Sequence, residues 1–183
     1  MMHQDHRTAF GAVTRITLLQ GEARVSSRPD VEISTILGSC VACCLFDPLA
    51  SVGGMNHFLL AEPKAEGEVL DEHYGVYLME VLINDMMKKG ANRSNLRARL
   101  YGGANLHPGM RSIGLMNAEF ADKFLESERI PLMHAELGGT QARRLSFMPA
   151  SGKVRSKLVP EVLIQPSPAM RRTQMMAGDV ELF

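Results

Sequence analysis

Val41-Ala42-Cys43-Cys44-Leu45-Phe46 is a near-continuous apolar run of strand length. Such a run suits a strand buried on both faces, since a strand with one wet face alternates apolar and polar residues. Gly38-Ser39 precedes it and Asp47-Pro48 follows it, and both read as turns. Apolar character returns over residues 52–60, so the two runs read as a hairpin. A hairpin sets the start of its first strand beside the end of its second. Position 57 is thereby carried back toward position 40.

The rest of the chain supplies further strands and two helices. Residues 13–19, 22–26 and 31–36 are strand-like, with turns at Gly21 and at Arg28-Pro29-Asp30. Residues 62–71, with Pro63 and Gly67, read as a loop that could flank residue 57. A helix is predicted over 73–89, with Tyr77, Leu78, Val81, Leu82 and Met86 at helical spacing. Asp71 is its expected N-cap, Lys88-Lys89-Gly90 its stop, and His73 a surface contact at its start. Residues 96–101 alternate as a strand that ends in Gly102-Gly103-Ala104-Asn105. A second helix is predicted over 118–127, capped by Asn117, with Phe120, Phe124 and Leu125 inward. A strand over 131–136 ends at Gly138-Gly139, and residues 145–148 and 153–159 form a hairpin about Ala150-Ser151-Gly152. This order predicts an α+β fold, a layered α/β sandwich with a mixed β-sheet and two main helices. No repeat or inter-domain linker interrupts it. One domain is expected over 13–164, between a flexible N-terminal segment, 1–12, and a mobile C-terminal tail, 165–183.

At 183 residues the chain can bury a core without disulfides or metal. Twenty basic and twenty acidic residues cancel, so nothing draws the protein as a whole to nucleic acid or an anionic membrane. No run approaches the roughly 18 apolar residues of a membrane span, and the polar, histidine-bearing first ten residues are no secretory signal. Three clustered cysteines make no disulfide framework, and a reducing, cytoplasmic setting is expected. His3 and His6 read as tail residues rather than metal ligands. The 13 methionines read first as packing.

All three cysteines lie between positions 40 and 44. Cys43 and Cys44, inside the apolar run, read as small core residues. Cys40 stands at its mouth, behind Gly38 and Ser39, with His57 seventeen positions on. A thiol with a free pKa of about 8.5 becomes a better nucleophile when an imidazole takes its proton and holds the thiolate–imidazolium pair. A third polar group usually orients the imidazole. Small residues before the nucleophile let backbone N–H groups approach an oxyanion. Gly102-Gly103 after a strand could line the same pocket; no Gly-Lys-Ser/Thr follows, so it is no phosphate loop. Cys40-x-x-Cys43 with His57 has partial zinc spacing, but a fourth ligand is missing and Cys43 should point away from Cys40.

Leu37-Gly38-Ser39-Cys40-Val41-Ala42, followed by Gly53-Gly54-Met55-Asn56-His57, resembles the CheD family of chemoreceptor glutamine deamidases. Gly102-Gly103-Ala104, Ile113-Gly114 with Asn117, and Gly138-Gly139-Thr140-Gln141-Ala142-Arg143 also resemble family segments, so the likeness runs from about Ile16 to Leu163. It implies Cys40 as nucleophile and His57 as base. The family's third residue is a threonine just upstream, matched by Thr35 by type or by Ser34 in an ungapped register. Gly38, Ser39, Gly102 and Gly103 would then line the substrate and oxyanion pocket. The resemblance implies deamidation of receptor glutamines with no cofactor and no metal. The partners it implies are chemoreceptor cytoplasmic helices and a CheC-type phosphatase; a non-catalytic docking module is the alternative. Leu106-His107 and Leu137 depart from the family pattern at the pocket edge.

Overall fold

The computed structural model describes residues 12–60, 72–106 and 113–160. In chain order the strands are β1 (Thr14–Thr17), β2 (Glu22–Ser26), β3 (Val31–Leu37), β4 (Val41–Asp47) and β5 (Val52–His57). Helix α1 (His73–Lys88), β6 (Arg97–Gly102), α2 (Ile113–Ser127), β7 (Leu132–Leu137), β8 (Arg143–Met148) and β9 (Lys153–Leu158) follow. The expected loop over 62–71, the Asp71 cap, His107 and both termini lie outside the described residues.

The strands form two sheets, β1-β3-β8-β9 and β2-β5-β4-β6-β7. Both are mixed: β1 is parallel to β3 and β6 to β7, and the other pairings are antiparallel. The helices cover one face of the five-stranded sheet and the four-stranded sheet covers the other. The fold is therefore α+β and layered, with two helices, but its strands divide into two sheets where one was expected. The division arises because the chain leaves one sheet after β1, enters the other at β2, and returns at β3.

Strand β4 occupies the middle layer. Val41, Cys43 and Leu45 face the helices, while Ala42 and Cys44 face the other sheet among Leu18, Ile33, Leu37, Met55 and Phe147. Six of its seven residues are buried, which accounts for its unbroken apolar pattern. Cys43 and Cys44 are core residues. In β5, a Cβ at Gly53 would strike the Pro149 carbonyl, and one at Gly54 would meet Val25 and Leu82 at 2.7 Å. The glycine pair lets the β8–β9 turn and α1 press on β5 from opposite sides.

Both helices differ in detail from the reading of their sequences. In α1 the buried stripe is Gly75, Leu78, Met79, Leu82, Ile83 and Met86. Tyr77 is exposed, because the stripe turns toward the sheet through Met79 and Ile83. The residue capping its start is Glu72, without a side-chain cap bond, and Gly90, just past its end, takes φ 94°. Helix α2 begins five residues before the expected start, so Asn117 is an interior residue, wholly buried, rather than a cap. Gly114 allows this early start: its Cα packs against the Gly103 and Ala104 carbonyls, where a side chain would not fit.

Candidate active site

Strand β3 presents Val31, Ile33, Thr35 and Leu37 to the space between the sheets. Ser34 points to the opposite face. On β5, Met55 belongs to the same inter-sheet core, and His57, two residues on, shares its face. The two sheets thus bring Thr35 and His57 together, and Thr35 Oγ1 lies 2.9 Å from His57 Nδ1. The same hydroxyl donates to the Leu18 carbonyl at 2.8 Å. A hydroxyl has one hydrogen, and a carbonyl only accepts. With that hydrogen spent on Leu18, Thr35 accepts from Nδ1–H, which leaves the Nε2 lone pair of the neutral ring open. His57 Nε2 is buried and has no hydrogen-bond partner among the described residues.

Cys40 immediately precedes β4. Cys44 pairs with Met55 and Val41 with Phe58, so Ala42 stands opposite His57 and Cys40 is its diagonal neighbour on the same face. Diagonal residues of this kind sit about 7 Å apart, within reach of a side-chain rotation. The thiol and the imidazole are not hydrogen-bonded to each other. The Cys40 thiol instead donates to Gln20 Oε1 at 3.5 Å.

Burial sets the electrostatics of the pair. It pushes the Cys40 thiol up to about 11, opposed in part by the residue's own backbone N–H. It pushes the His57 imidazole down to about 4, opposed in part by the Leu18 carbonyl. Burial thus disfavours the charged form of each group.

The loop that carries Cys40 is pinned from three directions. Gly103 N–H donates to the Cys40 carbonyl at 2.8 Å, and Ala104 N–H to the Gly38 carbonyl at 2.9 Å. Asn117 Nδ2 donates to the Ser39 carbonyl at 3.0 Å while its Oδ1 accepts from Leu60 N–H at 2.8 Å. Gly102 has φ 112°, and a Cβ there would run into the Cys40 carbonyl. Gly102 and Gly103 thus back the loop that carries Cys40 through close main-chain approach, and the Gly103 N–H is already engaged. Behind them, Gly138 N–H holds the Gly102 carbonyl, and the buried Arg143 guanidinium donates to the Glu136 and Gly138 carbonyls. Leu106 lies over Gly38, with Cδ1 2.8 Å from where a Cβ would stand.

Cys43 faces the helices and Cys40 the other sheet, so the two do not share a site. Among the described residues no group of three or more His, Cys, Asp or Glu side chains is placed to hold a metal ion. No described helix is long and apolar enough to cross a membrane. Three contributors went unread in the sequence. Gln20 follows β1 on another sheet, so only the topology brings it to the thiol. The sequence presents Asn117 as a cap, and Arg143 only as part of a motif. For Thr35 a signal existed, since it shares strand parity with Val31, Ile33 and Leu37.

The family model described as CheD chemotactic sensory transduction matches residues 59–158. A protein of Zymomonas mobilis is 52% identical over 171 residues, covering 92% of each chain. One of a Caulobacter species is 44% identical over 191 residues, with full coverage of both. One of Acidiphilium cryptum is 47% identical, covering 92% of this chain and 93% of its own. Each of these relatives carries the name probable chemoreceptor glutamine deamidase CheD. Among solved structures, a Neisseria meningitidis protein superposes with a TM-score of 0.49 at 11% identity, over 70% of this chain and 65% of that one. The extent and identity of the matches to its relatives mean that this chain belongs to the CheD family.

Proposed function

We propose that this protein deamidates glutamine side chains of chemoreceptors to glutamate, as a protein-glutamine glutaminase. Cys40 is the nucleophile, His57 the general acid–base, and Thr35 the residue that positions His57. The observation that carries this reading is the Thr35–His57 hydrogen bond, which leaves Nε2 unprotonated on the face it shares with Cys40. In the first step Sγ attacks the amide carbon and its proton passes to His57 Nε2. Backbone N–H groups of Ser39 and Cys40 receive the oxyanion. His57 then returns the proton to nitrogen, ammonia leaves, and a thioester remains. Water, deprotonated by His57, hydrolyses the thioester to glutamate and frees the thiol. Each turnover adds one negative charge to a packed receptor helix, which biases the receptor's signalling equilibrium.

The substrate is the cytoplasmic helical region of a receptor, so the protein works in the cytoplasm, as one domain over 13–164. A CheC-type phosphatase is a second partner. The test incubates a receptor cytoplasmic fragment with the wild-type protein, Cys40→Ala and His57→Ala, and reads amide-to-acid conversion by peptide mass. Conversion by the wild type alone is expected. Binding without conversion by the wild type across several receptors would instead make this a docking module.

A further inference from the structure

Gln20 lies in the link between β1 and β2, which crosses from one sheet to the other. Its neighbours are fixed to the site on both sides. The Leu18 N–H donates to the Ser34 carbonyl at 2.8 Å, and the Leu18 carbonyl accepts from Thr35 Oγ1. The Gly21 N–H donates to the His57 carbonyl at 2.7 Å. The segment that satisfies the histidine's brace therefore also carries the carboxamide that meets Cys40 Sγ. Gln20 is exposed, yet the segment that carries it is tethered to Thr35 through Leu18 and to His57 through Gly21, so its place beside the sulfur is built into the fold.

We propose that Gln20 is a further catalytic residue, whose carboxamide accepts from the Cys40 thiol at rest and, turned about its last torsion, donates Nε2–H to the thiolate and the oxyanion. A carboxamide has an acceptor and two donors on one planar group, so it can serve the sulfur before and after proton transfer. The need is plain from the site. The thiol is largely buried, and desolvation opposes its charged form, so thiolate and oxyanion both require nearby donors. The Gly103 N–H is committed to the Cys40 carbonyl and cannot supply one. The inference extends the deamidase reading and rests on it for the oxyanion step, while its claim on the thiolate rests on Cys40 alone.

The test uses the full chain with Gln20→Ala and Gln20→Glu. One readout is the pH dependence of alkylation by iodoacetamide. It reports on Cys40, since Cys43 and Cys44 are 0% and 2% exposed. The other is the kcat and KM of receptor-fragment deamidation. For Gln20→Ala, kcat falls about tenfold or more with KM little changed, as for loss of one exposed oxyanion donor. For Gln20→Glu, the alkylation midpoint moves to higher pH, because a carboxylate cannot donate and places a negative charge by the thiolate. Urea midpoints stay at the wild-type value, as befits an exposed side chain. Unchanged kcat and alkylation profile in both variants would overturn the proposal. So would a gain of activity in Gln20→Ala, which would make the carboxamide an obstacle at the thiol. If the wild type converts no receptor while the alkylation midpoint still shifts, the deamidase reading falls and the assignment of Gln20 to the thiol stands.

Discussion

Replacing Thr35 by valine removes one oxygen and keeps the side chain's shape. That oxygen serves two buried partners, the Leu18 carbonyl and His57 Nδ1. Thr35 is 5% exposed and His57 6%, so water does not readily replace it. A buried polar group left unpaired costs about 1–3 kcal/mol, so two such losses set an upper range of about 2–6 kcal/mol. Without the hydroxyl nothing holds the proton on Nδ1, and its move to Nε2, itself buried without a partner among the described residues, does not relieve this cost. The same tautomer change removes the base, because Nε2 then offers a hydrogen where the thiol needs a lone pair. Mispositioning of a catalytic histidine in this way costs about 10²–10⁴ in kcat. Urea unfolding measures the first quantity and receptor deamidation the second. Thr35→Ser, which restores the hydroxyl, should recover most of both. Ser34→Ala, on the opposite face, should change stability by no more than about 0.5 kcal/mol. Near-wild-type turnover by Thr35→Val, or a dead Ser34→Ala, would refute the reasoning.

Three other perturbations have defined outcomes. His57 has a folded pKa of about 4 against an ordinary 6.5, so the unfolded chain takes its proton first as pH falls. Its contribution, on the order of 3 kcal/mol, is present above pH 6.5 and lost as pH drops through 4; urea midpoints should fall over this window, and less steeply in His57→Gln. Gly102→Ala forces a side chain into the Cys40 carbonyl at φ 112°, so deamidation should drop sharply and the thermal midpoint should fall. Asn117→Ala strands the Leu60 N–H and frees the Ser39 carbonyl, and chemical unfolding should register a loss of about 2 kcal/mol with slower turnover.

The parts of this fold legible in the sequence were those written in local pattern. The apolar run at β4 and the turns about it announced a doubly buried strand and its hairpin partner. Helix α1 was legible from its spacing and its Lys-Lys-Gly stop. Helix α2 was legible only in its second half, since Gly114 and Asn117 are poor interior helix residues by propensity. Packing overrode propensity there: the glycine allows contact with the Gly103–Ala104 backbone, and the asparagine finds two buried partners. The division into two sheets was not legible, because it depends on long-range pairings such as β1 with β3 and β3 with β8. The same limit hid Gln20. Cys40 and His57 were readable as a pair because one hairpin carries both. That Thr35 rather than Ser34 meets His57 depends on the facing sheet.

The facing sheet also decides when the proposed site is assembled. The hydrogen bond that sets the histidine's tautomer joins strands of different sheets, across an interface that forms only when the sandwich closes. A nascent or partly folded chain with a complete hairpin would hold both Cys40 and His57, yet its imidazole would be free to tumble and to protonate near its ordinary pKa. In the proposed mechanism, turnover is thereby coupled to completion of the tertiary structure. A receptor would meet a working thiol only on a molecule whose last, most distant contacts were already made.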